Sequence, residues 1–296
     1  MRLVTRPDLD GLACALILAE HETIDEIALV HPQEITDKTV AITGDDTLAN
    51  LPYHPQCGRW FDHHLLTDSN EKPPSSFDGV HRVAASAAQL VWEYFDQEPK
   101  FEDLVSETNR FDSAQLNQED VLQPQGWVLL GFVLDPRTGL GGEEELFRQC
   151  LDWLHEKTIT EVLVEPMVRD RIIRMFEQNE DFCWALMQGS RLSDNVVFSD
   201  FRRMSDPPAG NRFLVYTLFP EANVSVRAQW GADKQSVMVT VGHSIFDRSC
   251  EVSVGELMSE YGGGGHRGAG STPLPVIDAD TKILEIIQRL QNPVTT

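Results

Sequence analysis

The first third of the chain alternates short β-branched or aliphatic runs with apolar helical stretches, and no two-residue hairpin turn joins them. Arg2–Thr5, Glu26–Val30, Thr39–Thr43 and Arg59–Phe61 read as strands. Leu12–His21 and Ser86–Phe95 read as helices, the second with Ser86 as N-cap ahead of Leu90, Val91 and Tyr94. Strands joined through helices rather than tight turns pair side by side in one direction, so the pattern predicts a mostly parallel α/β sheet. Loops beyond the carboxyl ends of such strands carry the chemistry of these folds. The candidate functional residues are therefore sought there.

Beyond Val121 the pattern turns helical as far as Gln188. Trp127, Leu130 and Phe132, then Phe147, Leu151 and Leu154, recur at helical spacing, and Glu161–Leu186 reads as one long helix or a helix pair. A Gly-Ser-Arg-Leu-Ser-Asp segment at 189–194 marks a boundary. Strand-like runs follow at Val196–Ser199, Phe213–Leu218, Val224–Gln229 and Ser236–Val241. Helices are expected at Ser253–Met258 and Thr281–Leu290, with a glycine cluster between them. The expected fold class is α/β in three parts: a mostly parallel-sheet domain over 1–125, a helical connector over 126–190, and a smaller α/β domain over 191–296.

Aspartate and glutamate outnumber lysine and arginine 47 to 24, a net charge of -23. A field of that sign repels long polyanions, which excludes a broad groove for duplex nucleic acid. Short phosphorylated substrates remain compatible if bound dications supply positive charge locally. The five cysteines are scattered and include no C-x-x-C pair, which argues against a disulfide framework or a thiolate zinc site and fits a reducing cytoplasm. No apolar run approaches the roughly 20 residues of a membrane span, and the acidic N-terminal stretch is unlike a signal peptide. A cytoplasmic protein without membrane contact is expected.

Four clusters stand out. Asp8-Leu9-Asp10-Gly11 places two carboxylates at i and i+2, suited to a hard or borderline cation, and Gly11 permits a tight exit into the following helix. Taken alone it is more often an acidic turn with a helix cap. Gly44-Asp45-Asp46 follows the expected third strand and by itself reads as an Asp-rich loop. Asp62-His63-His64 is more pointed, because adjacent histidines after the apolar Trp60-Phe61 pair form no turn motif, whereas imidazole is the commonest nitrogen ligand of transition metals. Asp112 alone reads as a helix-surface aspartate. Cys14, Cys57, His81, His155, His243, Trp127, Trp153 and Trp184 read as packing or surface residues rather than site residues.

Together, in this order and spacing, the clusters resemble the DHH family of metal-dependent phosphoesterases: Arg6-Pro7-Asp8-Leu9-Asp10-Gly11, Asp45, Asp62-His63-His64 and Asp112. Gly262–Gly265 followed by His266-Arg267-Gly268-Ala269-Gly270 looks like the signature of the DHH-associated domain, so the resemblance spans nearly the whole chain. The Asn50–Pro55 stretch looks closest to the exopolyphosphatase-related members. The resemblance implies a two-manganese centre: Asp8 on one ion, Asp10, His63 and Asp112 on the other, and Asp45 bridging, with Asp46 its alternative. Asp62 would orient the histidines and His64 would approach the phosphate or the attacking water. One position departs from the family, whose histidine four residues before the first aspartate is replaced here by Val4, which cannot ligate.

The glycine cluster has its own physical reading. Successive glycines leave backbone amides open to a phosphate or sugar, and His266 and Arg267 add a donor edge. By resemblance Arg248, Gly264, Gly265, His266 and Arg267 would bind substrate, facing the metals across a cleft. A flexible linker is the plain alternative for the glycines, and pairing with Asp247 or Glu251 for Arg248. The function expected is manganese-dependent hydrolysis of phosphodiester bonds in di- or oligoribonucleotides or linear products of cyclic dinucleotides. The alternatives are an exopolyphosphatase or pyrophosphatase and, because of Val4, a non-catalytic nucleotide-binding protein. The partner expected is a short nucleotide or phosphate substrate, with a homodimer left open.

Overall fold

A computed structural model describes residues 1–66, 72–231 and 234–292. The chain forms two compact units, Met1–Gln115 with Gln123–Met175, and Leu116–Leu122 with Phe176–Thr296. In the first unit, β1 (Arg2–Thr5), β2 (Glu26–Leu29), β3 (Asp46–Ala49), β4 (Arg59–Asp62) and β5 (Asp78–His81) make a wholly parallel sheet in the order β2-β1-β3-β4-β5. Helices α1 (Leu9–His21), α2 (Pro32–Thr36), α3 (Ala87–Tyr94) and α4 (Glu102–Asp112) accompany it. The α/β class expected from strand–helix alternation is the one observed.

Helix α1 explains the apolar run at its centre: every residue from Leu9 to Leu18 is buried, because the helix packs against α3, α4, α6 (Gly126–Leu134) and α7 (Glu143–Leu154). A helix that is apolar all round is an interior helix. On another side of the sheet Val4, Leu48, Trp60, Ile35, Ile42 and Tyr53 form a core cluster. Trp60 donates its indole N–H to the Leu51 carbonyl (2.8 Å) and stacks on His81.

The third strand departs from the sequence reading. Thr39–Thr43, the run with higher β-propensity, is not a strand; the strand is Asp46–Ala49. The preceding turn is fixed by Asp46, whose Oδ2 accepts the Thr43 N–H (2.7 Å) and an Arg2 Nη2–H (2.6 Å), while Oδ1 accepts Arg2 Nε–H (2.8 Å). This buried bidentate pair at the start of β1 and β3 outweighs local propensity. Burial opposes ionisation of Asp46, but Arg2 and the Thr43 amide outweigh it and hold the carboxyl below its ordinary value. A group with a depressed folded pKa contributes stability above its unfolded pKa and loses it as pH falls through the folded value. Asp46→Ala is therefore expected to cost about 2 kcal/mol at neutral pH, with the difference from wild type shrinking in acid. Urea unfolding at both pH values checks this; a gap that persists unchanged in acid would contradict it.

Helix α5 (Gln118–Leu122) belongs to the second unit, while α6, α7 and α8 (Ile159–Leu163) belong to the first. The long α9 (Pro166–Gly189) runs from one to the other. The second unit has a six-stranded mixed sheet, ordered β10 (Gly264–His266), β11 (Ala269–Pro275), β9 (Ser236–His243), β8 (Val224–Trp230), β7 (Val196–Asp200) and β6 (Ser190–Ser193). Val224, Val226 and Ala228 of β8, and Val237, Val239 and Val241 of β9, alternate inward. They meet Ile283, Ile286 and Leu290 of α12 (Ala279–Gln291) and Val254, Leu257 and Met258 of α11 (Val254–Glu260). Phe213–Leu218, expected as a strand, is instead a short helix α10 (Leu214–Leu218), because Asn211 supplies its N-terminal turn: Oδ1 accepts Phe213 N–H and the carbonyl accepts Leu214 N–H (both 3.1 Å).

Candidate metal centre

In the strand order of the first sheet, β1 has β2 on one side and β3 on the other, so the chain reverses its winding direction there. A crevice opens at such a switch point beyond the carboxyl ends of the two strands. Asp8 follows β1 and Asn50 follows β3, and Asp62 ends β4.

Asp10 is buried at 2% exposure, and its two oxygens accept the Ala87 and Ala88 N–H groups (2.9 and 2.7 Å) at the start of α3. Ser86 caps the same helix by accepting Gln89 N–H (3.0 Å), as its sequence position predicts. Burial, then the charges of Asp112 and Asp8, push the Asp10 carboxyl well up, while the two amides oppose the shift. A carboxylate held among others in this way is one that a cation would stabilise.

His63 supplies the matching ligand. Its ring is only 8% exposed. Nδ1 lies 3.2 Å from the Ala84 carbonyl and donates to it, which leaves the lone pair on Nε2. Nε2 is buried without a hydrogen-bond partner, 3.3 Å from Asp112 Oδ2 and 3.7 Å from Asp10 Oδ2. Burial lowers the His63 pKa despite Asp112, a shift toward the neutral form that a metal requires. Asp112, at the end of α4, is raised by burial, with His63 opposing. Asp10, His63 and Asp112 each offer a ligand atom, all within 4.8 Å of one another. An orphaned imidazole nitrogen aimed between two carboxylates fits one divalent cation.

The neighbouring residues orient this set. Asp62 Oδ1 accepts the His63 N–H (3.0 Å) and the His64 Nδ1–H (2.8 Å). Burial pulls His64 down, but its bond to Asp62 and the charges of Asp62 and Asp112 outweigh it, so its pKa is raised. The His64 side chain is half exposed.

The set implied for a second cation is not assembled. Asp45 is exposed at the amino end of β3, where its carbonyl meets the Arg2 N–H, at the opposite end of the sheet from Asp8. Asp46 is committed to Arg2. Both follow from reading the strand as Thr39–Thr43; with the strand at Asp46–Ala49, the residue at the carboxyl end is Asn50. Its Nδ2–H donates to Asp8 Oδ1 (3.2 Å). Val4 lies wholly inside the core with Leu48 and Trp60, so a histidine there would bury imidazole among apolar side chains rather than restore a ligand.

In the second unit, Gly264, Gly265 and His266 form strand β10, and Gly265 pairs with Gly270 across the hairpin. Two of these glycines admit close backbone packing: a Cβ on Gly263 would lie 2.1 Å from the Ser271 carbonyl, and one on Gly265 would lie 2.3 Å from that of Ala269, whereas a Cβ on Gly262 or Gly264 would meet nothing within 4 Å. Arg267 is exposed, with Nη2 3.4 Å from the Glu251 carbonyl, and Gly268 N–H donates to His266 Nδ1 (3.2 Å). Arg248 is exposed in the loop after β9. Asn50, Arg6 and Arg137 also neighbour the centre, although the sequence reading gave none of them a role. Arg6 Nε lies 3.1 Å from Asp8 Oδ2. Arg137, held by Asp135 (2.7 Å), is depressed by burial, but Asp135, Asp8 and Asp112 outweigh that and raise its pKa.

No protein-family model matches the chain, nor does any curated protein. Among solved structures it is similar to the pGpG-specific phosphodiesterase PggH of Vibrio cholerae, with 36% identity over 98% of both chains and a TM-score of 0.85. It shares its fold with RecJ of Thermus thermophilus in complex with Mn2+ (12% identity, TM-score 0.61, 98% of this chain and 52% of that one). It also shares it with an exopolyphosphatase-related protein of Bacteroides fragilis (12% identity, TM-score 0.51, 98% and 92% of the two chains).

Proposed function

The chain belongs to the DHH family of phosphoester hydrolases, and on that premise we propose that it hydrolyses linear dinucleotides of the pGpG type with manganese as cofactor. The observation that carries this reading is the buried, unpartnered His63 Nε2 between Asp10 and Asp112, in a chain alike over its whole length to a pGpG-specific enzyme. Bound there, the dication supplies Lewis acidity and neutralises charge on the phosphoryl oxygens. Asp62 holds His64 so that its outer nitrogen reaches the phosphate or the leaving oxygen. A water oxygen bonds to phosphorus, one P–O ester bond breaks, and the leaving ribose oxygen takes a proton, giving two mononucleotides. The cytoplasm is the proposed location, supported by five unpaired cysteines and by the lack of any helix, among the described residues, long and apolar enough to cross a membrane.

Arg248, His266 and Arg267 are proposed to grip the remote phosphate or base of the substrate. Binding energy spent there positions the scissile phosphate. Incubation of the purified protein with Mn2+ and pGpG, a longer oligoribonucleotide or tripolyphosphate tests the reading. Mononucleotide release from pGpG in preference to the others is expected. Orthophosphate release from tripolyphosphate alone would favour a polyphosphatase, and pGpG binding without turnover would favour a binding protein. Arg267→Ala should lower kcat/KM for pGpG about tenfold while sparing a small generic phosphodiester, as loss of one charge-assisted contact predicts. Equal losses on both substrates would remove the remote-grip assignment.

A further inference from the structure

We propose that Arg137, presented by the loop that follows α6, binds a phosphate of the dinucleotide beside the cation centre. This rests on the phosphodiesterase reading above and deepens it by naming a further residue that holds the substrate.

The loop is built to keep one side chain still. Asp135, just past the end of α6, is 4% exposed, and its Oδ1 accepts both the Arg137 N–H (2.9 Å) and the Arg137 Nε–H (2.7 Å). The Asp135 carbonyl accepts the Thr138 N–H (3.0 Å) and the Thr138 hydroxyl (2.7 Å), which closes a tight turn through Pro136. Gly139 leaves that turn at a φ of 75°, a left-handed conformation that favours glycine. The buried Arg171 fastens both ends of the loop, donating to the Val133 carbonyl (2.9 Å) ahead of the turn and to the Gly141 carbonyl behind it.

This framework displays one edge of a guanidinium. The Arg137 side chain is 57% exposed, and among the described residues its hydrogen bonds run only from the backbone N–H and Nε, both to Asp135. Nη1 and Nη2 stay open. An arginine held through Nε still offers a fork of N–H donors that matches two oxygens of one phosphate. Because Asp135 has already ordered the side chain, closing that fork on a ligand costs little further conformational entropy.

Packing puts the loop beside the centre. Phe111, the residue before Asp112, meets Phe132 of α6 edge to face (5.1 Å between centroids), and a Cβ on Gly131 would lie 2.9 Å from the Phe111 ring. The end of α6 therefore lies against the end of α4 that carries Asp112. The charges of Asp8 and Asp112 both reach Arg137. Among the described residues neither forms an ion pair with it: Asp8 faces Arg6 Nε (3.1 Å), and Asp112 faces His63 Nε2 (3.3 Å). Arg137 is thus a fixed positive charge next to the cation centre and not its counter-ion. In a chain of net charge -23, such a charge favours an anion at that place.

The test is steady-state hydrolysis of pGpG, and of GpG, which lacks the terminal phosphate, by full-length Arg137→Ala, together with a Mn2+ titration of the same variant. We expect kcat/KM to fall about tenfold, as for loss of one charge-assisted contact. Mn2+ affinity should be unchanged or tighter, since removing a positive charge near Asp8 and Asp112 does not loosen a cation. Loss on pGpG alone would place Arg137 on the terminal phosphate, and loss on both would place it on the bridging one. Arg137→Lys, which keeps the charge but not the fork, should recover part of the loss. Unchanged kcat/KM on both substrates would remove Arg137 from the site. A loss accompanied by weaker Mn2+ binding would overturn the proposal too, because the loop would then support the centre and not the substrate. Wild-type protein that binds Mn2+ yet cuts neither dinucleotide would be a failure of the functional reading, and the proposal would fall with it.

Discussion

Replacing His63 with alanine is expected to lower pGpG turnover by about a thousandfold while the fold persists, since the metal's contribution to the transition state is worth several kcal/mol and about 4 kcal/mol corresponds to that factor. The reason lies in how the ring is held. Ala84 fixes Nδ1, and the Asp62 carboxylate fixes the backbone N–H, so Nε2 meets Asp10 and Asp112 without needing to rearrange. Removing it leaves two carboxylates, of which Asp10 is already pushed up by burial and then by the charge of Asp112, with no neutral donor to complete a coordination set. The measurement is kcat under saturating Mn2+, with circular dichroism confirming the fold. Turnover at the wild-type rate would show that the chemistry takes place elsewhere.

Gly11→Ala is the second large effect, and it acts through space alone. A methyl group on Gly11 would lie 2.0 Å from the Arg6 carbonyl oxygen and 2.8 Å from Thr5 Oγ1. Thr5 Oγ1 in turn donates to the Ala49 carbonyl (2.9 Å), tying the end of β1 to the end of β3. Neither backbone can retreat without moving Asp8, the N-cap of α1, whose Oδ1 accepts the Gly11 N–H. The expected cost is about 3 kcal/mol in denaturant unfolding, the upper range for overpacking a tight site. Displacement of Asp8 and Asp10 should also weaken Mn2+ binding by about tenfold or more, as disturbing the support of a metal ligand does. Wild-type stability would show that the loop between β1 and α1 has slack which the structure denies it.

Part of the centre was legible through the order and spacing of its clusters, since only Asp62-His63-His64 stands out by itself. The structure brings ligand atoms of Asp10, His63 and Asp112 within 4.8 Å of one another, with Asp8 after β1 and His64 after β4. The parallel sheet followed from strand–helix alternation, and Ser86 from its capping position. What could not be read depended on long-range contacts. The Arg2–Asp46 pair sets where β3 begins, and that one shift replaces Asp45 by Asn50 at the site. An asparagine after a weak strand carries no signal until the strand is placed. Arg137 is invisible for the same reason, since only the fold brings the Asp135–Arg137 pair near Asp8 and Asp112. The glycine cluster is part hairpin and part open surface: β10 pairs with β11, while Gly262, Gly265, His266 and Arg267 are exposed.

A crystal of the protein soaked in Mn2+ and measured at the manganese absorption edge would locate the cation itself. An anomalous peak is expected at bonding distance, about 2.0–2.3 Å, from His63 Nε2 and from carboxylate oxygens of Asp10 and Asp112. A peak elsewhere, or none at these three residues in crystals that bind Mn2+, would contradict it.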